Sequence, residues 1–276
     1  MRRVPGARVV LVLLAALGSG LLLPRAPVPL RTIPCETVGA ARPPALAILL
    51  PGRGGAAEDY ASHGFVTAAR AHALPADLVA CDATIGYYAR RTLLGRLRTD
   101  VVEPARRRGY QRLWLVGISM GGVGALLYAR EYPEDVSGVI LIAPFLGDEK
   151  VLRSVEQAGG LDGWRLPTDH DPEDWQPLLW DSLRRLGAGT NRAEIPVWLG
   201  YGLADRFARA HALLARALPP AQVFARPGGH DWDAWCPLWD AMLDTWTTRL
   251  PATAGARSGP WPGLGSQASA KERSSW

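Results

Sequence analysis

Leu113-Trp114-Leu115-Val116-Gly117-Ile118-Ser119-Met120-Gly121-Gly122-Val123-Gly124-Ala125-Leu126-Leu127-Tyr128 decides the reading of this chain. An apolar strand pattern runs into the pentapeptide G-x-S-x-G and straight out into a helical pattern. That order places a serine hydroxyl on a tight turn at the top of a sheet. Side chains two residues either side of the serine would collide as strand and helix cross, and Gly117 and Gly121 remove them. Gly122 and Gly124 keep the helix thin near its neighbours, although glycine inside a helix costs up to about 1 kcal/mol relative to alanine. A locally unfavourable choice of this kind points to geometry rather than stability.

Outward from this segment, continuous apolar runs at 45–50, 77–81, 112–118, 138–143 and 196–201 predict strands buried on both faces, as in a parallel sheet covered by helices. Helical patterns at about 58–73, 88–108, 119–131 and 207–218 separate them. This alternation predicts an α/β chain with a mostly parallel sheet and right-handed crossovers. An edge strand is expected around 30–38, and a last strand at 222–225. The final helix carries Trp232, Trp235, Trp239, Leu243 and Trp246 at spacings of three and four, a core-packing stripe.

The regular pattern breaks between 147 and 194, where Trp164, Trp175 and Trp180 lie among Asp, Pro and Gly. A structureless loop of that length is improbable in a compact domain, so short helices forming a lid or cap are expected. Its tryptophans either line an acyl or aryl pocket or pin the insertion to the body.

The sequence has 276 residues, 48% of them hydrophobic, and can bury a core for one catalytic domain, expected at 27–250. Its formal charge of +5 comes from arginine almost alone, since lysine occurs only at Lys150 and Lys271. The arginines are dispersed, which argues against a nucleic-acid surface. The nearest approach to a cluster, Arg90, Arg91, Arg96, Arg98 and Arg106 to Arg108, reads as a solvated helix face. Arg2, Arg3 and Arg8 followed by an apolar run from Val9 to Leu23 match an export signal. The expectation is a signal peptide within 1–26 and a periplasmic or secreted protein, with an uncleaved anchor to the inner membrane as the alternative. Residues 251–276 read as a disordered tail. The three cysteines, Cys35, Cys81 and Cys236, have no metal-site spacing. Two of them pair, or all three are buried hydrophobes, and sequence does not choose. No metal or cofactor is expected.

A serine hydroxyl is a poor nucleophile at neutral pH and needs a base to take its proton and an acid to orient that base. Of the five histidines, His63, His72, His170 and His211 fall on helical stretches or in the insertion. Only His230 sits in a glycine-rich loop just past a strand, at the sheet edge where Ser119 emerges. Asp205 follows a buried strand and precedes a helix, which puts its carboxylate beside that loop; Asp148, after the preceding strand, is the rival. Asp231 and Asp233 read as caps of the last helix. Negative charge developing on a substrate oxygen needs donors fixed in advance, and the backbone N–H groups of Met120 and Arg53 are the candidates.

Three separated segments, 50–55 (Leu50-Pro51-Gly52-Arg53-Gly54-Gly55), 117–122 and 228–232 (Gly228-Gly229-His230-Asp231-Trp232), resemble the α/β-hydrolase superfamily. Within it, 117–126 and 229–235 look like putative esterases of the esterase D and antigen 85 type. The resemblance covers about residues 45–249. It implies an α/β-hydrolase fold and acyl-group chemistry on a small acyl ester through an acyl-serine intermediate, by hydrolysis or by transfer to an alcohol or amine. A peptidase, or a non-catalytic binding protein on the same scaffold, are the remaining alternatives. The chain departs from many relatives in having Pro51 where a histidine often precedes the glycine, and in a reduced N-terminal sheet region.

Overall fold

The computed structural model describes residues 24–35, 45–171, 173–186 and 195–249. Its strands are β1 (Thr32–Cys35), β2 (Ala45–Leu50), β3 (Asp77–Cys81), β4 (Arg112–Ile118), β5 (Gly138–Ile142), β6 (Val197–Gly202) and β7 (Val223–Arg226). The helices, in chain order, are α1 (Asp59–Ser62), α2 (Phe65–Ala71), α3 (Ile85–Ala89), α4 (Leu93–Leu97), α5 (Glu103–Arg107), α6 (Met120–Glu131), α7 (Glu149–Gln157), α8 (Gln176–Arg185), α9 (Ala208–Ala215) and α10 (Trp232–Arg249).

The strands form one sheet in the order β1-β3-β2-β4-β5-β6-β7. All neighbours run parallel except β1, which closes one edge antiparallel to β3. Alternate residues of each strand feed two cores. On one face α1, α2 and α10 pack against residues such as Leu49, Val116 and Trp198; on the other, α3 to α9 pack against Ile48, Leu115 and Leu199. From β2 the chain turns to β3 on one side and later to β4 on the other. The C-terminal ends of β2 and β4 therefore flank a switch point, where an open parallel sheet leaves a crevice.

Two expected helices are broken, for local reasons. Gly64, at φ +83°, divides 58–73 into α1 and α2. The long helix expected at 88–108 begins earlier, at Ile85, stops at Arg91, whose φ is +56°, and restarts as α4. It then widens at Arg98–Val102 before Pro104, whose ring crowds the carbonyl four residues back and offers no N–H. The arginines of this region are not simply solvated: Arg96 pairs with Asp100, and Arg106 donates to the carbonyls of Tyr110, Gln111 and Asp135.

Within 147–194, α8 is the crossover helix that returns the chain from β5 to β6. It lies along α6. Trp180 is fully buried on it and donates to Leu146 O at 2.8 Å; Trp164 is buried beside α7 and donates to Ser154 Oγ at 3.1 Å. These two tryptophans pin the insertion to the body. Trp175 alone of the three stays half-buried. In the final helix Trp239, Leu243 and Trp246 are fully buried and Trp235 nearly so.

The three thiols are free. Cys35 and Cys81 belong to cores on opposite faces of the sheet, and Cys236 lies on α10, its thiol donating to His63 O. The expected export or anchor segment lies outside the described residues except for 24–26, and the expected tail lies wholly outside them. No helix among the described residues is long and apolar enough to cross a membrane.

Asp181 joins α8 to α6. It is 1% exposed and accepts from Arg130 of α6 and from Arg184 and Arg185 of its own helix. Burial pushes its carboxyl upward, but the three guanidinium groups outweigh burial and hold it below the ordinary carboxylate range. A carboxyl depressed in the folded state stabilises the fold above its unfolded pKa, near about 4, and that stability is lost as pH falls through the folded value. Asp181→Asn is expected to lower Tm by several degrees at pH 7 and to flatten the loss of Tm below about pH 4. Thermal unfolding of parent and variant across that pH range checks both.

Candidate active site

Ser119 stands between the last residue of β4 and the first of α6, with φ +51° and ψ −112°. Few non-glycine residues adopt such backbone, which costs on the order of 1–3 kcal/mol. Three hydrogen bonds hold it there: Ser119 N–H donates to Ile142 O at 2.9 Å, and Ser119 O accepts from Gly122 N–H at 3.0 Å and Phe145 N–H at 3.1 Å. The crossing of strand and helix leaves no room for a side chain. A Cβ on Gly117 would lie 2.5 Å from Gly121 backbone, and one on Gly121 would lie 1.9 Å from Leu50 O. A Cβ on Gly122 would lie 2.8 Å from Pro144 and 3.5 Å from Leu141 of β5, and one on Gly124 2.8 Å from Leu93 and Tyr88 and 3.5 Å from Leu50 of β2.

Asp205 and His230 come from the loops after β6 and β7, which cross one another. Leu203 N–H donates to Arg226 O and Ala204 N–H to Gly228 O. A Cβ on Gly202 would lie 2.4 Å from Gly228 O, so the crossing requires glycine there. Asp205, 5% exposed, accepts at Oδ1 from Phe207 N–H at 2.7 Å. Its Oδ2 lies 2.7 Å from His230 Nδ1, and His230 Nε2 lies 2.9 Å from Ser119 Oγ. A carboxylate only accepts, so Nδ1 carries the hydrogen and Nε2 presents its lone pair to the hydroxyl. The imidazole is clamped edge-to-face by Phe207 and Trp235, at centroid separations of 5.1 and 5.2 Å.

The structure thus brings Ser119, Asp205 and His230 together. Met120 opens α6, where the first-turn N–H groups have no intrahelical acceptor. Gly52 lies against Ser119, its would-be Cβ 3.4 Å from that of the serine, and Gly55 N–H closes a turn on Gly52 O over Arg53 and Gly54. Gly54 takes φ +81°, as the third position of a type II turn requires. The Arg53 side chain is exposed. Asp148 is not beside His230: its side chain caps α7 through Lys150 and Val151 N–H. Asp231 caps α10 through Ala234 N–H, and Asp233 sits in its first turn. His63 stacks on Trp232, His72 bridges Asp240 and Asp244, and His170 is half-buried with Nδ1 2.9 Å from Pro167 O.

Sequence reading missed the surroundings of the imidazole. Phe207, packed on His230, contacts Phe145, and Phe145 contacts Trp175, with centroids 5.4 and 6.1 Å apart. This half-buried aromatic wall borders one side of the serine–histidine pair. His211 of α9 is completely buried behind it and approaches Pro144 O at 2.8 Å. Of these only Trp175 is a candidate from sequence; nothing local marks Phe145, Phe207 and His211, whose contacts join the ends of three strands. Among the described residues, no group of three or more His, Cys, Asp or Glu could hold a metal ion.

Chemically, a hydroxyl bonded to an imidazole that is bonded in turn to a buried carboxylate can lose its proton as it attacks an electrophilic carbon. The first turn of α6 and the 52–55 turn flank the same oxygen.

Comparison with known proteins agrees with the architecture. Residues 97–168 match the family described as serine aminopeptidase, S33. No curated protein matches the chain. Among solved structures, Est1E from Butyrivibrio proteoclasticus superposes with a TM-score of 0.55 at 15% identity, covering 84% of this chain and 98% of that one. Est1E with ferulic acid bound gives 0.53 at 16% identity, over 81% and 96%. A ferulic acid esterase gives 0.50 at 18%, over 76% and 86%. The chain has an α/β-hydrolase fold, with a mostly parallel sheet, seven-stranded among the described residues, between two helical layers.

The elbow's geometry makes one prediction independent of any substrate. Gly121→Ala must push α6 away from Leu50 and Pro51 and is expected to lower Tm more than Gly54→Ala, whose Cβ would meet nothing within 4 Å. Calorimetry on the two variants measures the difference.

Proposed function

We propose that the protein is a serine esterase that cleaves carboxylic esters through an acyl-serine intermediate. The observation that carries this reading is the unbroken path from Asp205 Oδ2 through the His230 ring to Ser119 Oγ, at 2.7 and 2.9 Å. In this reading Nε2 takes the proton as Oγ attacks the acyl carbon, and Asp205 stabilises the imidazolium that forms. The imidazolium then protonates the departing alkoxide, and the alcohol leaves. Water, deprotonated by the same Nε2, attacks the acyl-serine, and the proton returns to Oγ as the acid is freed. The N–H groups of Met120 and Arg53 receive the oxyanion at each tetrahedral stage, and loss of one such donor typically costs about 2.7–4 kcal/mol.

Phe145, Trp175 and Phe207 support an apolar, planar group on the ester, since flat rings stack or meet edge-on with aromatic walls. The ferulic acid named in one Est1E structure is such a group. The family match at 97–168 favours a second reading, hydrolysis of an amide at an aminoacyl residue. That segment contains the elbow but neither Asp205 nor His230, and both reactions pass through the same acyl-serine.

Purified protein is expected to release p-nitrophenol from acyl esters. Ser119→Ala should abolish release and fluorophosphonate labelling, and activity that survives it undiminished sinks the proposal. Asp205→Asn should lower kcat by on the order of 10⁴-fold, because the amide reverses the imidazole tautomer. Trp175→Ala should raise KM for aromatic acyl esters about fivefold while leaving acetyl esters within about twofold. An aminoacyl p-nitroanilide, turned over faster than the matching ester, would support the peptidase reading, and product analysis with added alcohol separates hydrolysis from acyl transfer.

A further inference from the structure

We infer that His211 is a positioning residue for the acyl-transfer chemistry, holding the loop that grips the nucleophile's backbone at a fixed separation from the loop that bears the acid. This rests on the serine-esterase reading. Ser119 follows β4 and Asp205 follows β6, so the segment 143–145 after β5 lies between them. Ala143 N–H donates to Gly200 O at 2.7 Å, and Phe145 N–H donates to Ser119 O at 3.1 Å. Between those two tethers stands Pro144, whose carbonyl accepts from His211 Nε2 at 2.8 Å. On the other side His211 belongs to α9, whose start is built on the acid. Ala208 N–H donates to Asp205 O and His211 N–H to Phe207 O, while Phe207 N–H donates to Asp205 Oδ1. One imidazole therefore links the backbone under the nucleophile to the helix anchored on Asp205.

The ring is 0% exposed and packs against Tyr201 and Phe207, at centroid separations of 5.3 and 6.4 Å. Pro144 O can only accept, so Nε2 carries the hydrogen. Burial drives the pKa of the group below its ordinary value and keeps it neutral. Its Nδ1 finds no hydrogen-bond partner among the described residues. Burying such an atom costs about 1–3 kcal/mol. A leucine would avoid that cost and fill similar space; what the imidazole adds is the single donor at Pro144.

The test compares the full-length parent with His211→Leu, His211→Gln and His211→Asn. It measures kcat and KM on a p-nitrophenyl ester, the rate of fluorophosphonate labelling, and Tm. The glutamine amide nitrogen reaches where Nε2 stood, whereas that of asparagine falls short. Leu and Asn are expected to lower kcat and labelling rate about tenfold with KM within about twofold, as a small misplacement of reacting groups does. Gln is expected to restore both rates to within about threefold of the parent. If Leu fails to fold, the Gln and Asn pair carries the same comparison. The inference is overturned if folded Leu or Asn keeps both rates within about twofold, if Gln loses as much as Asn, or if KM rises with kcat unchanged. A parent that labels yet cleaves no ester overturns the esterase reading instead and leaves the labelling ratios to decide the role of His211.

Discussion

One close approach sets the rest: the first turn of α6 crosses the end of β2 with no side chain between Gly121 and Leu50 O. Because the helix starts there, Ser119 must turn back on itself between β4 and α6. The same contact places the chain leaving β2 beside the serine, so Gly52 and the 52–55 turn arrive at the hydroxyl with no further device. The crevice is a product of sheet order as well. β2 has β3 on one side and β4 on the other, so the connections leaving β2 and β4 diverge to opposite faces and leave the gap between them open.

Backbone strain accumulates at this edge and is offset by hydrogen bonds between strand ends. Ser119 and Ala143 both have positive φ, +51° and +48°, and each directly follows one of the paired residues Ile118 and Ile142. Two such residues cost on the order of 1–3 kcal/mol each. The bonds from Ser119 to Ile142, from Phe145 to Ser119 and from Ala143 to Gly200 continue the ladder past the strands' ends. The strained residues are thus held by three consecutive strands, which fixes the direction of the Ser119 side chain.

Much of this was legible in the sequence, for reasons that also explain what was not. Buried parallel strands read as continuous apolar runs, and the glycines flanking Ser119 announce the crossing. Asp205 follows the buried run of β6 and His230 the short, partly exposed β7, and the adjacency of these two strands brings their loops to one edge. Where the reading went astray, the cause was local backbone or distant packing. Gly64 and Arg91 break helices that periodicity joins, and Pro104 widens one. The tryptophans of 147–194 look alike in sequence, yet Trp164 and Trp180 are core and Trp175 meets Phe145. His211 reads as an ordinary helical histidine, because the carbonyl it binds belongs to a segment before the whole insertion.

The carboxylate of Asp205 is compensated in an uncommon manner for a buried charge. Among the described residues no lysine or arginine pairs with it. Its Oδ1 takes the N–H of Phe207, and α9 starts at Ala208 with its amide dipoles pointing toward the acid. The nearby guanidinium of Arg206 lies over the Phe207 ring at 5.0 Å, not on the carboxylate. One backbone N–H and the N-terminus of α9 therefore face the carboxylate, with no cation on it among the described residues. In the proposed reaction the imidazole of His230, beside Oδ2, is the group that becomes the counter-charge when it takes the proton of Ser119. On that reading a permanent cation on Asp205 would spend the attraction before the proton moved, whereas the Phe207 N–H leaves it available for the imidazolium.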